Sequence, residues 1–166
     1  MIFRNATIED LPTIVEIYNS TIEGNMATAD TSPVSIDSRI DWFNKHTPNR
    51  PLWIIENIEK QTIGWCSFKD FYGRPAYSGT AEFSMYLNEN FRSKGYGKLI
   101  FQHAISCCNE LKIHTLLGYI FAHNKISIKL AESVGFTEWG HLQDVAIMNN
   151  NKFSLKIMGL KTNYHV

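Results

Sequence analysis

Residues 91–100, FRSKGYGKLI, place two glycines and three cationic side chains directly in front of an apolar run with helical spacing. The segment before it, TAEFSMYL (80–87), reads as a strand that ends where Asn88, Glu89 and Asn90 cluster as loop residues. A strand, a glycine-rich turn and a helix put unpaired backbone amides at the positive end of a helix dipole, where an anion is stabilised. Arg92, Lys94 and Lys98 add charge at the same point, so diphosphate is a better guess than carboxylate. The bare R-x-x-G-x-G pattern leaves a second reading open, in which Gly95 and Gly97 make a tight turn and permit close helix packing. G-x-x-x-x-G-K-[ST] and G-x-G-x-x-G are both absent, which removes the P-loop and the dinucleotide fingerprint.

Working outward, IFRN (2–5) reads as a first strand. Thr7 and Asp10 form a capping box for a helix with the stripe Leu11, Ile14, Val15, Ile17, Tyr18 and Ile22. SIDSRIDWFNKH offers Ile36, Ile40 and Phe43 at helical intervals and predicts a second, shorter helix. PLWIIENI and QTIGWCSFKD, broken at Glu59-Lys60, predict an antiparallel hairpin. Downstream of the glycine turn the pattern predicts a helix to about Glu110, a buried strand in HTLLGYIFA, and a helix from Asn124 with Gly135 just past its end. Residues 136–147 and 152–160 are two further strands joined by a polar turn. The order β-α-α-β-β-β-α-β-α-β-β implies an α/β or α+β fold with a mixed sheet, and 166 residues predict a single domain over 1–166.

Sixteen basic and sixteen acidic residues cancel, which excludes the charge footprint of a general nucleic-acid or anionic-membrane binder and makes any anion site local. Cys66, Cys107 and Cys108 match neither a disulfide framework nor the spacing of a zinc site, so free thiols in a reducing cytoplasm are expected, with no metal. No segment approaches the ~20 apolar residues of a membrane span. A soluble, cytoplasmic chain is expected.

The turn RSKGYG, followed about thirty residues later by HNKISIKLAESVGF, resembles the GCN5-related N-acetyltransferases (GNAT). In that family an R/Q-x-x-G-x-G/A turn holds the pyrophosphate of acetyl-CoA, and the next helix begins with an Asn near the pantetheine. The matching positions are Arg92, Gly95, Gly97 and Asn124. IVEIYNSTIEGNMATADTSPVSIDSRIDWF, GRPAYSGTAEFSMYL and GFTEWGHLQDVAI extend the likeness over nearly the whole chain, toward the phosphinothricin and methionine sulfone (sulfoximine) acetyltransferases. The resemblance implies a mostly antiparallel twisted sheet of about six or seven strands flanked by about four helices. It also implies acetyl transfer to the amino group of a small amino acid or toxic analogue, and a homodimer.

Carried over residue by residue, the resemblance makes Glu82 the general base. By sequence alone Glu82 is a lone acid in an apolar strand, and alternation places it with Ser84 and Tyr86 on one face, which leaves a solvated role open. The backbone of Met85, Tyr86 and Leu87 would grip the pantetheine. Ser93, Lys94, Gly95, Tyr96, Gly97 and Lys98 would hold the pyrophosphate with Arg92, and Ser127 would reach the cofactor one turn after Asn124, itself also a natural N-cap. For the acceptor, Arg74 suits a carboxylate, with Phe71 and Tyr77 as walls. Three departures stand out. Ala131 occupies a position where relatives often carry Tyr or His as leaving-group acid, with His123 and Tyr119 as substitutes. Ala29 replaces an aromatic in the loop before Asp30, and NNNKFSLKIM lacks the Trp and Asp usual in the branch. The alternatives are acetylation of a peptide amine and a non-catalytic CoA-binding module.

Overall fold

The structure, a computed structural model, describes residues 1–164. The β-branched and aromatic runs on either side of Lys60 pair as an antiparallel hairpin of β2 (Leu52–Glu56) and β3 (Thr62–Asp70), with Trp53 opposite Cys66 and Ile55 opposite Gly64. Together with β1 (Ile2–Asn5), β4 (Thr80–Leu87), β5 (Thr115–Phe121), β6 (Thr137–Met148) and β7 (Asn151–Lys161) they form one seven-stranded sheet of order β1-β2-β3-β4-β5-β7-β6. Neighbours are antiparallel except β4 and β5, which run parallel. The predicted polar turn is a two-residue hairpin loop in which Asn149 and Asn150 both take positive φ (49° and 60°), as the twist of a tight hairpin demands.

Helices α1 (Leu11–Asn19) and α2 (Ile36–Asn44) cover one face, and α3 (Tyr96–Cys107) and α4 (Lys125–Glu132) cover the other. β3 lies between them and is buried almost continuously, because Trp65 and Ser67 meet the first pair while Cys66 and Phe68 meet the second. The chain enters α1 with the Thr7 N–H donating to Asp10 Oδ2 at 2.7 Å, and Arg4 grips the same carboxylate at 2.7 and 2.8 Å. Among the described residues no helix is long and apolar enough to cross a membrane. All three cysteines are free, and burial raises the thiol pKa of Cys66 and that of Cys108, the latter to about 12.

Two expectations shift. α3 ends at Cys107 rather than near Glu110, and the chain leaves through turns in which Leu111 N–H donates to the Cys107 carbonyl and Lys112 takes φ 56°. α2 forms where expected and packs Phe43 inward as the spacing predicts, but the rest of its buried face differs: Ile36 and Ile40 are 43% and 38% exposed, while Trp42 packs inward beside Phe43. Trp42 meets Trp65 edge-to-face at 5.6 Å and 64°, and an aromatic pair of this kind outweighs the burial of an isoleucine, so packing overrides the spacing.

The parallel pair positions the site. β4 and β5 are joined only at Thr80–Thr115, Ala81–Leu116 and Glu82–Leu117. Beyond that rung β4 stays with β3 as far as Leu87–Gly64, and β5 stays with β7 as far as Phe121–Leu155. The sheet therefore opens in a V.

Candidate active site

The V is a narrow gap of about 100 Å³ walled by Ser84, Met85, Tyr119, Asn124, Ser127 and Leu130. Next to it, and sharing Met85, Asn124 and Ser127, lies a groove of about 520 Å³. Its lining brings together Met85, Tyr86, Leu87, Arg92, Ser93, Gly95, Tyr96, Gly97, Lys98, Asn124 and Ser127, all singled out from the sequence. Ser93 and Gly95 both adopt the left-handed conformation, φ 60° and 83°. Alternation of this kind turns successive N–H groups toward one concave side. No backbone carbonyl among the described residues accepts from Ser93, Lys94 or Gly95, so these donors are available to an anion.

The two glycines have different reasons. A Cβ on Gly95 would meet nothing within 4 Å, so the demand there is torsional. A Cβ on Gly97 would lie 2.8 Å from Leu130 Cδ2 and 3.3 Å from Met85 Cε, so this glycine lets α3 pack on α4 and β4. Arg92 ties the turn down, its guanidinium donating to the Leu87 carbonyl and to Ser20 Oγ, each at 3.1 Å. Lys94 stands apart from the groove lining, with Nζ 5.4 Å from the centre of the Phe91 ring. Asn124 is buried and has both ends engaged: Oδ1 accepts from Ser127 N–H at 3.1 Å, and Nδ2 donates to the Met26 carbonyl at 2.8 Å. It caps α4 and fastens the loop between α1 and α2 beside the groove.

On the α1/α2 face the register sets Lys69 opposite Glu82, Ser67 opposite Ser84 and Trp65 opposite Tyr86. A pocket of about 220 Å³ lies over these pairs. Aromatic rings wall it, with Trp65 stacked on Tyr86 at 4.6 Å, Tyr18 against Tyr86 at 5.0 Å and Trp42 against Trp65 at 5.6 Å. The Arg39 guanidinium lies 4.7 Å above the Tyr18 ring and donates to Asp30 Oδ2 at 2.8 Å, and the Tyr18 hydroxyl donates to the same carboxylate. Burial raises the phenol pKa of both Tyr18 and Tyr86, so both remain neutral at physiological pH. Glu82 is half-buried, with Oε2 3.9 Å from Lys69 Nζ, where this pocket meets a second cavity of about 620 Å³.

Sequence patterns did not single out Arg39, Trp42 or Trp65 as site residues. Arg39 and Trp42 lie off the apolar stripe of α2, at a spacing of three, and that polar–aromatic pairing was the available signal. The acceptor loop is only partly joined to Glu82. Phe71 lines the 620 Å³ cavity with it, whereas Arg74 and Tyr77 are exposed and line a separate cavity of about 660 Å³ with Arg50, Lys112 and His114. Ala29 is exposed, because Thr28 and Asp30 on either side are both bonded to Tyr18 and turn the residue between them outward. Ala131 is buried in the core. Of its two substitutes, His123 Nε2 is 2.8 Å from the Asn25 carbonyl and must donate to it. Tyr119 lines both the strand gap and the cavity of Glu82, and partial burial together with the Glu82 charge raises its phenol pKa.

Residues 1–137 match the family model described as an acetyltransferase (GNAT) domain. The chain is 46% identical over 159 residues, covering 96% of itself and 98% of its relative, to a Bacillus subtilis protein provisionally named phosphinothricin acetyltransferase YwnH. It is 28% identical over 143 residues to an L-methionine sulfoximine/L-methionine sulfone acetyltransferase of Pseudomonas paraeruginosa, covering 86% of this chain and 83% of that one. The structure superposes with a TM-score of 0.89 and 25% identity on a GNAT phosphinothricin acetyltransferase of Sinorhizobium meliloti in complex with acetyl-CoA, over 97% of this chain and 88% of that one. A family model that spans most of the chain, and relatives aligned along nearly its full length, agree with the open V and the glycine turn: the chain belongs to the GNAT acetyltransferase family.

Proposed function

We propose that this protein transfers an acetyl group from acetyl-CoA to the amino group of a small amino acid or toxic amino-acid analogue, of the phosphinothricin or methionine sulfoximine/sulfone type, with Glu82 as general base. The observation that carries the reading is the V between β4 and β5: Glu82 closes its apex, and the groove carrying the Ser93–Gly95 amides lies beside it through shared residues. The free amides, the positive φ at Gly95 and Lys98 on the groove suit a diphosphate, and the gap suits the narrow pantetheine arm. When bound, acetyl-CoA supplies the thioester whose acetyl carbon the amine attacks.

The chain's own residues then have distinct tasks. Arg92, Ser93, Lys94, Gly95, Tyr96, Gly97 and Lys98 anchor the nucleotide end, and the backbone of Met85, Tyr86 and Leu87, paired with β3 but open on the side that has parted from β5, holds the arm. Asn124 and Ser127 shape the wall of the gap. Glu82 takes one proton from the ammonium group of the acceptor; as the C–S bond breaks, Tyr119, neutral and on the gap, donates a proton to the departing thiolate and is restored by the second proton that the nitrogen loses. The aromatic pocket of about 220 Å³ has the scale of a single amino-acid side chain, which favours a small acceptor over a peptide. Phe71 walls the acceptor side, and Arg74 and Tyr77 take part through a shift of their loop from the neighbouring cavity.

The same reading places the protein in the cytoplasm, supported by its three free thiols. It also makes the protein a homodimer, supported by Trp139, Leu142, Val145 and Ile147 exposed along the edge strand β6. The deciding experiment measures thiol release from acetyl-CoA with phosphinothricin, methionine sulfone, methionine sulfoximine and a set of peptides. Turnover confined to the amino-acid analogues is expected. Faster turnover of the peptides, or none with any amine, defeats the proposal.

A further inference from the structure

A general base that takes a proton in every cycle must also lose it, and Glu82 faces two spaces through which the proton can leave. The aromatic pocket offers two neutral phenols, an Arg39–Asp30 pair already joined, and Lys69, which it shares with the other space. The cavity of about 620 Å³ is lined instead by charged and titratable groups. Arg50 and Asp70 hold each other there at 2.6 Å, and the other donors of Arg50 go to the carbonyls of Asn49, Leu111 and Ser78. Lys45 and Lys69 contribute ammonium groups and Tyr72 and Tyr119 contribute phenols. Apart from Glu82 itself, His46 is the remaining titratable group on the lining, and imidazole, unlike ammonium or phenol, is the side-chain type suited to exchange protons at pH 7.

The end of α2 orients that ring. The His46 backbone N–H donates to the Phe43 carbonyl at 3.2 Å, and ring Nδ1 lies 3.1 Å from the same oxygen. A carbonyl only accepts, so Nδ1 carries hydrogen and Nε2 is the basic nitrogen of the neutral ring. The Trp42 indole stands edge-on at 4.7 Å and 81°, fixing the ring plane. The device links the two halves of the site, because Trp42 walls both the acceptor pocket and the cavity that holds His46.

We propose that His46 is the proton relay of this site: Nε2 accepts, through water, the proton that Glu82 has removed from the acceptor ammonium, and delivers it to solvent. This rests on the reading of Glu82 as base. The bookkeeping is one proton, broken from the acceptor N–H, held on the Glu82 carboxylate, passed to His46 and released to buffer. No other bond changes. Burial lowers the pKa of His46, partly offset by the Phe43 and Trp42 carbonyls. The direction favours the neutral ring, the form whose Nε2 can accept.

The experiment compares wild type, His46→Asn and His46→Ala in dilute, non-imidazole buffer, using the acceptor that wild type turns over. Asn retains an N–H donor for the Phe43 carbonyl, so His46→Asn tests the relay even where His46→Ala folds poorly. Both variants are expected to lose about tenfold in kcat, with an unchanged KM for acetyl-CoA, and to regain it to within about twofold as imidazole is added. Wild type should be indifferent to imidazole. An unchanged kcat in His46→Asn, or a loss that imidazole does not restore, overturns the relay while leaving the acetyltransfer reading intact. Absence of turnover by wild type on every amine rejects that reading and the relay with it.

Discussion

Glu82 and Leu117 form the last rung between β4 and β5, so the proposed base sits at the point where the sheet stops being a sheet. The rung fixes the Glu82 backbone from both sides, through Lys69 on β3 and Leu117 on β5, while the residues just beyond it are free of β5. Rigid support and open backbone amides are thus one residue apart, which is the combination a preorganised transfer site requires.

Replacing Glu82 with Gln keeps shape and hydrogen bonding but removes the proton acceptor. A fall in kcat of about 10²- to 10³-fold at neutral pH, with the KM for acetyl-CoA unchanged, is expected from the usual size of general-base catalysis. Steady-state kinetics on the purified variant checks it, and wild-type kcat would remove Glu82 from the mechanism.

Tyr119→Phe tests the donor to the departing thiolate. The hydroxyl is the only atom lost, so melting temperature should hold while kcat falls about tenfold or more. If kcat stays within about twofold of wild type, the proton comes from elsewhere.

Gly95→Ala and Gly97→Ala should fail differently. At Gly95 the left-handed φ costs an alanine about 1 kcal/mol, and the added methyl enters open space at the anion turn, so weaker acetyl-CoA binding is expected with a small change in stability. At Gly97 the methyl collides with Leu130 and Met85, and overpacking of this kind costs about 1–3 kcal/mol. Calorimetry should show the second variant melting several degrees lower, and equal melting of the two would contradict the assignment.

Asn124→Ala removes the α4 cap and leaves the Met26 carbonyl without its partner. A loss of about 2 kcal/mol is expected, about half from the cap and half from the orphaned carbonyl. Hydrogen exchange should quicken at the start of α4, around residues 125–127. Unchanged exchange there would mean that the side chain is dispensable.

Stability should fall as pH drops from about 7 to 5. Burial lowers the pKa of His46 and that of His103 below the unfolded value near 6.5, so over that interval the unfolded chain binds more protons than the folded one. Stability is therefore fully present above the unfolded pKa and is lost on acidification through it. His103, stacked on Phe3 at 3.7 Å, is the cleaner probe, and His103→Phe should flatten the profile of urea midpoints against pH. An equally steep profile in that variant would clear His103.

Much of the site was legible before folding. The turn at 92–98 announced itself because glycine and charge at a helix entrance are local chemistry, and the hairpin of β2 and β3 followed from β-branched runs around a polar break. Arg39, Trp42 and Trp65 were not legible, since an aromatic residue in an amphipathic segment reads as core until another element is laid against it. Arg74 shows the reverse: a loop arginine suited to a carboxylate lies on a neighbouring cavity, because the 3-10 turn at Pro75–Tyr77 sets the direction of its loop.

The sequence by itself determined the order of elements, the anion turn and the acidic residue in β4, because each depends on neighbours a few positions away. Only the tertiary structure decided that β4 and β5 part after Glu82, that α2 turns Trp42 inward, and that His46 shares a cavity with Glu82. Those facts depend on which strand pairs with which and on how large side chains share one interior, and chain-local preference carries no record of either.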